Sequence, residues 1–304
     1  MIIPIDLRDC VAFVYYESAN GAKIPAGTAF FIQDPEPTIG ADLTTKYCVT
    51  ARHVIESIVK YGHGGGVWLR LNRPNGEISW VNVPLTDWLG HPDETDTMWF
   101  EHRDNPRFDV SACIWRYPDS LLQGFGVVAP YTSVFVDDKK ISEHAISAGD
   151  EVFMTGLFAN HIGKRRNIPI VRCGNIAAMP EEPVETALGP MEAFLIEARS
   201  IGGLSGSPVF VSLGSQRLGK GGQYSLGPWY VYLLGLVHGH WDARRGDTVP
   251  DDTTNGASIN QGIAVVAPAT QILETIRQKK FMAIRAADIQ AITTSPSQLG
   301  IAPS

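Results

Sequence analysis

Short runs of apolar residues, separated by glycine, proline, asparagine and aspartate, recur along most of the chain. Examples are CVAFVYY, GTAFFIQ, KYCVTA and DVSACIW in the first half and EVFMTGLF, SPVFVSL and WYVYLLGLV in the second. Strands at this density, with little helical periodicity between them, predict an all-β protein built as barrels or as a sandwich.

The segment from residue 268 to residue 280, PATQILETIRQKK, has clear helical periodicity. Ile272, Leu273 and Ile276 fall on one face, and the lysines stand at the end where the helix dipole favours positive charge. We therefore predict a C-terminal helix here. Beyond it the pattern weakens, and residues 281–304 are expected to form a loosely patterned tail.

Two stretches, residues 85–107 and 241–260, are long for loops of an all-β fold. Long loops on a β scaffold commonly select substrates. Insertions without functional consequence have the same appearance in a sequence, so both interpretations stay open.

Charge narrows the classes of function. The 304 residues carry a formal net charge of −7 at pH 7, so a clustered basic surface for nucleic acid is not expected. The basic cluster GKRRN at 163–167 is too short to change this and is expected to form a solvated hairpin tip.

Cysteine usage and the N-terminus bear on location. The four cysteines are far apart and form no C-x-x-C pair, which predicts reduced thiols rather than a disulfide framework. The start MIIPIDLRDC lacks the apolar core of a secretory signal, and the run WYVYLLGLV is far shorter than the ~20 residues of a membrane helix. We therefore expect a cytoplasmic protein with no membrane partner.

The segment IGGLSGSPVF places Ser205 among glycines and before an apolar strand. A serine nucleophile needs a base, an acid that orients the base, and donors for an oxyanion. His53 follows the strand of YCVTARHV, and Asp109 directly precedes the strand of DVSACIW. Either residue alone is typical of a structural strand end, so the case depends on the set.

In the order His, Asp, Ser, the segments TARHV, FDVSACIW and GGLSGSPVF resemble the three catalytic blocks of the trypsin/chymotrypsin-like serine peptidases (PA clan), especially their bacterial single-domain branch. Their chain order differs from those of subtilisin and the α/β-hydrolases. GTAFFIQ is similar to an early strand of the family, GLVHGH to the strand that lines the substrate, and QGIAVVAPATQILETI to the last strand and terminal helix.

The resemblance implies two six-stranded antiparallel β-barrels with the active site in the cleft between them, plus a C-terminal helix. We expect an N-terminal barrel over residues 1–125, carrying His53 and Asp109. A C-terminal barrel with the terminal helix would cover residues 126–280 and carry Ser205. The tail would follow over residues 281–304.

The resemblance also implies a serine endopeptidase that acts on protein or peptide substrates through an acyl-enzyme. His53 would take the proton of Ser205 and pass it to the leaving amine, and Asp109 would hold the imidazole tautomer. The N–H groups of Gly203 and Ser205 would bind the oxyanion. No cofactor and no metal are implied.

Two positions depart from the digestive members of the family. Leu204 precedes the nucleophile, where trypsin has an acid that pairs with a newly cut N-terminus, so activity is expected without zymogen cleavage. Because Gly202 and Gly203 make the oxyanion loop costly to order, we hypothesise activation by a regulatory protein partner. Val54 follows His53, so the disulfide that secreted relatives have beside the histidine is missing.

Substrate selection is assigned to five positions by the same resemblance. Basic groups there would favour an acidic residue before the cleaved bond, whereas strand alternation that turns Arg199 outward would remove this preference. The expected substrate-binding residues are Arg199, Ser200, His238, Gly239 and His240.

Two other classes of function stay open. His238, His240 and Asp242 have a spacing that can hold zinc in metallohydrolases, but every histidine of the chain lies at or before His240. The second is a catalytically silent binding module with a protease fold. Against it, the full set of catalytic residue types is present. A cysteine nucleophile is disfavoured because no cysteine has the glycine-rich setting of Ser205.

Overall fold

The computed structural model describes residues 3–35, 44–85, 98–102, 104–115, 127–186, 188–198, 202–218, 224–243 and 259–294. Within these ranges the chain is mainly β, which confirms the fold class predicted from the strand pattern. The predicted boundary between residues 125 and 126 lies outside the described residues.

The strands of the N-terminal lobe are β1 (Val11–Glu17), β2 (Lys23–Pro35), β3 (Thr44–Thr50), β4 (Gly66–Asn72), β5 (Ile78–Pro84), β6 (Phe100–Glu101) and β7 (Ser111–Ile114). The later strands are β8 (Glu151–Gly156), β9 (Ile170–Ala178), β10 (Val184–Thr186), β11 (Gly189–Met191), β12 (Phe194–Glu197), β13 (Pro208–Leu213), β14 (Gln216–Leu218), β15 (Tyr224–Leu226), β16 (Tyr230–Ala243) and β17 (Ile259–Pro268). The helices are α1 (Ile5–Arg8), α2 (Arg52–Tyr61), α3 (Asp138–His144), α4 (Ala269–Ile276) and α5 (Lys279–Thr294), with a 3₁₀ turn at Thr132–Val134.

The N-terminal lobe is a seven-stranded sheet in the order β5-β4-β1-β2-β3-β7-β6. The resemblance implied six strands in a closed barrel, so this lobe differs in strand number and, within the described residues, in closure. β3 pairs antiparallel with β7, with Thr50 opposite Ser111. This pairing brings the residues that follow Thr50 next to the residues that precede Ser111.

The C-terminal lobe is a closed barrel of six strands, in the order β12-β17-β16-β13-β8-β9. Apolar residues recur along its strands because side chains on their inner faces fill the barrel. Every residue of β13 is buried. The closed six-stranded barrel expected for this half is confirmed.

Four helices differ from the sequence prediction, because α1, α2 and α3 were not predicted and α5 occupies part of the predicted tail. α2 begins directly after β3 and was not predicted, although Val54, Ile55 and Ile58 form a buried stripe on it. The tail predicted from residue 281 is wrong as far as Thr294, because α5 covers Lys279–Thr294. The predicted helix over 268–280 is confirmed as α4, with a break before α5. Residues 295–304 lie outside the described residues.

Helix α5 is held against the N-terminal lobe by buried contacts. Phe281 packs edge-on against Tyr47 at a ring-centroid distance of 5.5 Å. The buried Arg285 forms an ion pair with Asp34 at 2.7 Å and donates to the Tyr47 hydroxyl at 3.0 Å. A charged residue on the packing face interrupts the apolar pattern, which explains why this helix was missed.

The segment expected to be a solvated hairpin tip joins the two lobes. Lys164 to Arg166 are exposed, but Asn167 is buried and its Oδ1 accepts from Arg70 of β4 at 2.8 Å. Arg70 also donates to the carbonyl oxygen of Gly163 at 2.7 Å. The basic cluster is therefore part of the contact between the lobes.

Parts of the two long loops belong to strands. Phe100–Glu101 form β6, and β16 extends to Ala243. Residues 86–97, 103 and 244–258 lie outside the described residues. No helix in the described part of the chain is long and apolar enough to cross a membrane.

Candidate active site

His53 stands in the first turn of α2 and makes two contacts with Asp109. Its backbone N–H donates to Asp109 Oδ1 at 3.0 Å, and its Nδ1 lies 2.8 Å from Asp109 Oδ2. The first turn of a helix has N–H groups without intrahelical partners, and here a carboxylate accepts one of them. Asp109 therefore fixes both the helix end and the imidazole ring.

Asp109 is fully buried, two residues before β7. Burial by itself would raise its pKa, but hydrogen bonds from His238 and His53 outweigh this effect and lower the pKa from 3.8 to about 2. The carboxylate is consequently charged at neutral pH, and the Nδ1 atoms that face it must carry hydrogens.

Burial tends to lower the pKa of His53, yet the hydrogen bond and the negative charge of Asp109 prevail and raise it. The His53 side chain is 30% exposed. The ring edge opposite Asp109 carries Nε2, which is the position that a general base needs.

His238 lies on β16 at a β-bulge between Val237 and Gly239. Its Nδ1 is 2.6 Å from Asp109 Oδ2, the oxygen that also faces His53. The two imidazole rings are 5.6 Å apart and nearly perpendicular. His238 is expected from the sequence to line the substrate-binding site. In the structure its ring is hydrogen-bonded to Asp109, the acid of the predicted triad.

Ser205 sits in a tight turn before β13. The Ser207 N–H donates to the Leu204 carbonyl oxygen at 2.9 Å, and the Gly206 N–H donates to the Val237 carbonyl oxygen at 2.8 Å. Gly206 has a positive φ of 81°, which a side chain would strain. The second of these bonds ties the turn to β16, next to His238.

The Ser205 turn also packs against the strand-to-helix junction that carries His53. A Cβ at Gly206 would lie 2.9 Å from the backbone N of Ala51, two residues before His53. A Cβ at Gly27 would lie 2.9 Å from both the Ser205 carbonyl oxygen and a methyl group of Val54. Glycine at these positions allows the two lobes to approach closely at the site.

The Ser205 hydroxyl is not hydrogen-bonded to His53. Ser205 is half-buried, and in the described part of the chain its hydroxyl makes no hydrogen bond. Catalytic hydrogen bonds are often long in the absence of substrate. The structure thus brings the backbone of Ser205 beside the His53 junction without closing the bond between the two side chains.

Thr28 holds the glycine of the expected oxyanion site. Its hydroxyl donates to the Gly203 carbonyl oxygen at 2.8 Å and accepts from the Leu157 N–H at 2.9 Å. Gly203 has a positive φ of 98°. Among the described residues, the N–H groups of Gly203 and Ser205 have no hydrogen-bond acceptor, so both remain available to an anion.

The other predicted site residues either lie away from Asp109 or fall outside the described part of the chain. Arg199 and Ser200 lie outside the described residues. Gly239 is half-buried and pairs with Val265, and His240 is exposed. Asp242 belongs to β16, opposite Asn260. Because His238 is hydrogen-bonded to Asp109 while His240 is exposed, the structure gives no support to the alternative of a zinc site at His238, His240 and Asp242.

One potential ligand atom from each of His53, Asp109 and His238 lies within 4.8 Å of the other two. Such a group is close enough to hold a cation. However, both imidazoles stand at the distances of charge-assisted hydrogen bonds to one carboxylate oxygen, 2.8 and 2.6 Å. We therefore assign the group to hydrogen bonding.

Sequence reasoning missed two roles at this site. In the sequence Thr28 is one residue of the GTAFFIQ strand, and a threonine in a strand gives no sign of a partner 175 residues away. The contact between His238 and Asp109 spans 129 residues and depends on the bulge in β16. A bulge changes which side of the strand a residue faces, so alternation alone could not reveal it.

No family model and no curated protein matches this chain. Among solved structures, the MamO protease domain from Magnetospirillum magneticum (apo form) is similar, with 11% sequence identity and a TM-score of 0.49. The alignment covers 90% of this chain and 98% of that one. A likeness at this level carries no information about activity.

Proposed function

We propose that the protein is a serine endopeptidase that uses His53, Asp109 and Ser205 and forms an acyl-enzyme. The observation that carries the proposal is the double contact of His53 with Asp109, through the backbone N–H at 3.0 Å and Nδ1 at 2.8 Å. A buried carboxylate that orients an imidazole in this way is what a serine general base requires.

In the proposed reaction, Nε2 of His53 takes the hydroxyl proton as Ser205 attacks a peptide carbonyl carbon. The oxyanion accepts from the Gly203 and Ser205 N–H groups. His53 then donates the proton to the leaving amine, and water hydrolyses the ester with the same base. Each oxyanion donor contributes roughly 3 kcal/mol to stabilising the transition state.

The proposal includes protein or peptide substrates, a cytoplasmic location, and no requirement for a cofactor or for zymogen cleavage. A regulatory protein partner would act on the segment before Gly203. Equal peptidase rates with and without cell extract would contradict this partner. The preference for acidic substrates through Arg199 and His240 is tested by a peptide library, in which selection for small apolar residues would remove it.

One observation favours a second candidate, a silent binding module with a protease fold. The Ser205 hydroxyl has no hydrogen bond to His53 among the described residues. A protein whose serine never engages its base would bind peptides without cleaving them. The two candidates differ in whether Ser205 is activated.

A fluorophosphonate probe distinguishes them, since it reacts with activated serines without knowledge of the substrate. We expect the wild type to be labelled and Ser205→Ala not to be. Ser147→Ala, at an exposed serine of the same chain, serves as the matched control and should label like the wild type. An unlabelled wild type, folded by circular dichroism, would favour the silent module.

A further inference from the structure

Two imidazoles share one oxygen of a buried carboxylate. Nδ1 of His53 lies 2.8 Å and Nδ1 of His238 lies 2.6 Å from Oδ2 of Asp109, while Oδ1 accepts from the backbone N–H of His53. An ionised carboxylate only accepts hydrogen bonds, so both Nδ1 atoms carry hydrogens. In each neutral ring the other nitrogen, Nε2, is then the position that takes up a proton.

The two imidazole rings differ in exposure, but both face the negative charge of Asp109. The His53 side chain is 30% exposed, the His238 side chain 13%, and Asp109 not at all. A proton added to one ring is stabilised by the carboxylate. A second proton on the other ring meets the positive charge of the first at a ring distance of 5.6 Å.

We propose that His238 is a positioning residue of the triad, which holds Asp109 through the oxygen that His53 also uses, so that the proton affinity of His53 depends on the charge of His238. The proposal deepens the peptidase assignment and rests on it for its relevance to catalysis. Its test, however, reads the histidines themselves and does not need turnover.

Other charged groups near the pair come from α2 and from β6. On α2, Arg52 and Glu56 form an ion pair at 3.4 Å and act in opposite directions on the pKa of His53. Glu101 of β6 interacts with the charge of Asp109. The barrel neighbours of β16, with sequences PVFVSL and INQGIAVVAP, contain no titratable side chain. His240 of β16 is exposed.

Substituting His238 separates its hydrogen bond from its charge. His238→Asn offers an amide N–H at nearly the position of Nδ1 but cannot be protonated. His238→Ala removes both the donor and the charge. His63→Asn changes an exposed histidine just beyond the end of α2 and is the matched control.

The experiment is an NMR titration of the histidine side chains in the full-length chain, with His53 assigned by its loss in His53→Gln. In His238→Asn we expect the midpoint of the His53 titration to lie about one pH unit above that of the wild type, and in His63→Asn we expect the wild-type curve. The positioning role predicts that the downfield Nδ1 proton of His53 persists in His238→Asn and broadens in His238→Ala.

Superimposable His53 curves in the wild type and His238→Asn, within about 0.2 pH unit, would overturn the coupling. An unchanged Nδ1 proton in a folded His238→Ala would overturn the positioning role. If the alanine variant does not fold, folded His238→Leu, which offers no donor, replaces it, and an unchanged Nδ1 proton of His53 there would overturn the positioning role. Fluorophosphonate labelling of the same wild-type sample reports separately on the peptidase assignment, so the two failures can be told apart.

Discussion

The hydroxyl of Thr28 donates a hydrogen bond to the carbonyl oxygen of Gly203 at 2.8 Å, from the N-terminal lobe to the turn that precedes Ser205. The backbone of Thr28 adds a second link, since its N–H donates to the Ser205 carbonyl oxygen at 2.9 Å. Thr28 is fully buried, so neither bond competes with water. One strand residue thus holds both ends of the proposed oxyanion segment.

Replacement of Thr28 tests this anchor. Thr28→Val leaves the Gly203 carbonyl and the Leu157 N–H without their partner, so we expect a loss of about 1–3 kcal/mol in the free energy of unfolding. We also expect at least a tenfold slower fluorophosphonate labelling. Thr28→Ser keeps the hydroxyl and should retain most of the labelling rate. Denaturant unfolding and labelling kinetics measure the two effects, and equal behaviour of both variants would contradict the anchor.

The two adjacent glycines of the loop should respond differently to alanine. Gly203 has a φ of 98°, and a Cβ there would lie 3.0 Å from the Leu157 carbonyl oxygen. A Cβ at Gly202 meets nothing within 4 Å. We expect Gly203→Ala to reduce labelling about 100-fold, because the strained backbone turns the oxyanion donor away. Gly202→Ala should stay within about threefold of the wild type. Similar losses in both would count against Gly203 as a donor.

Asp109→Asn should reduce the rate of fluorophosphonate labelling by about four orders of magnitude while the protein stays folded. This size is the one measured for the corresponding change in the chymotrypsin-type triad, where the amide imposes the wrong imidazole tautomer. Here the amide would face two imidazoles and could satisfy them only by mixed donor and acceptor contacts. Labelling within tenfold of the wild type would remove Asp109 from the mechanism.

The free energy of unfolding should decrease in acid because the buried carboxylates of Asp109 and Asp34 become protonated. The pKa of Asp109 is lowered from 3.8 to about 2, and hydrogen bonds from Thr132 and Arg285 overcome burial to lower that of Asp34. A carboxyl group whose pKa is lower in the folded than in the unfolded protein stabilises the fold at every pH above its unfolded pKa. This contribution disappears as the pH falls through its folded pKa. For Asp109 it amounts to about 2–3 kcal/mol.

The raised pKa of His53 acts in the opposite sense. Its contribution to the free energy of unfolding is complete below the pKa of the unfolded state and is lost as the pH rises through the pKa of the folded state. Urea unfolding measured from about pH 9 to about pH 2.5 covers both contributions. Asp109→Asn should have a flatter profile than the wild type below pH 5. A parallel profile would show that Asp109 does not titrate abnormally.

Removing Arg285 should destabilise the attachment of α5. The side chain is 2% exposed and pairs with Asp34, so Arg285→Met leaves a buried carboxylate without its buried cation, at a cost of about 3–5 kcal/mol. Arg277 also contacts Asp34, at 3.2 Å, but is 53% exposed. Arg277→Met is therefore the matched control, with an expected loss below about 1 kcal/mol. Thermal unfolding compares them, and equal losses would contradict the buried pair.

The sequence is enough to predict the β class, the strand runs and the helix at Ala269–Ile276, because backbone geometry imposes the alternation and the 3.6-residue period on nearby residues. It also singled out His53, Asp109 and Ser205 by their residue types and chain order. Three contacts do not follow from these patterns: the hydrogen bonds of His238 to Asp109 and of Thr28 to Gly203, and the ion pair of Arg285 with Asp34 that attaches α5. These contacts join residues 129 to 251 positions apart. Whether such side chains meet depends on bulges, close glycine contacts and burial, which exist only once both lobes have folded.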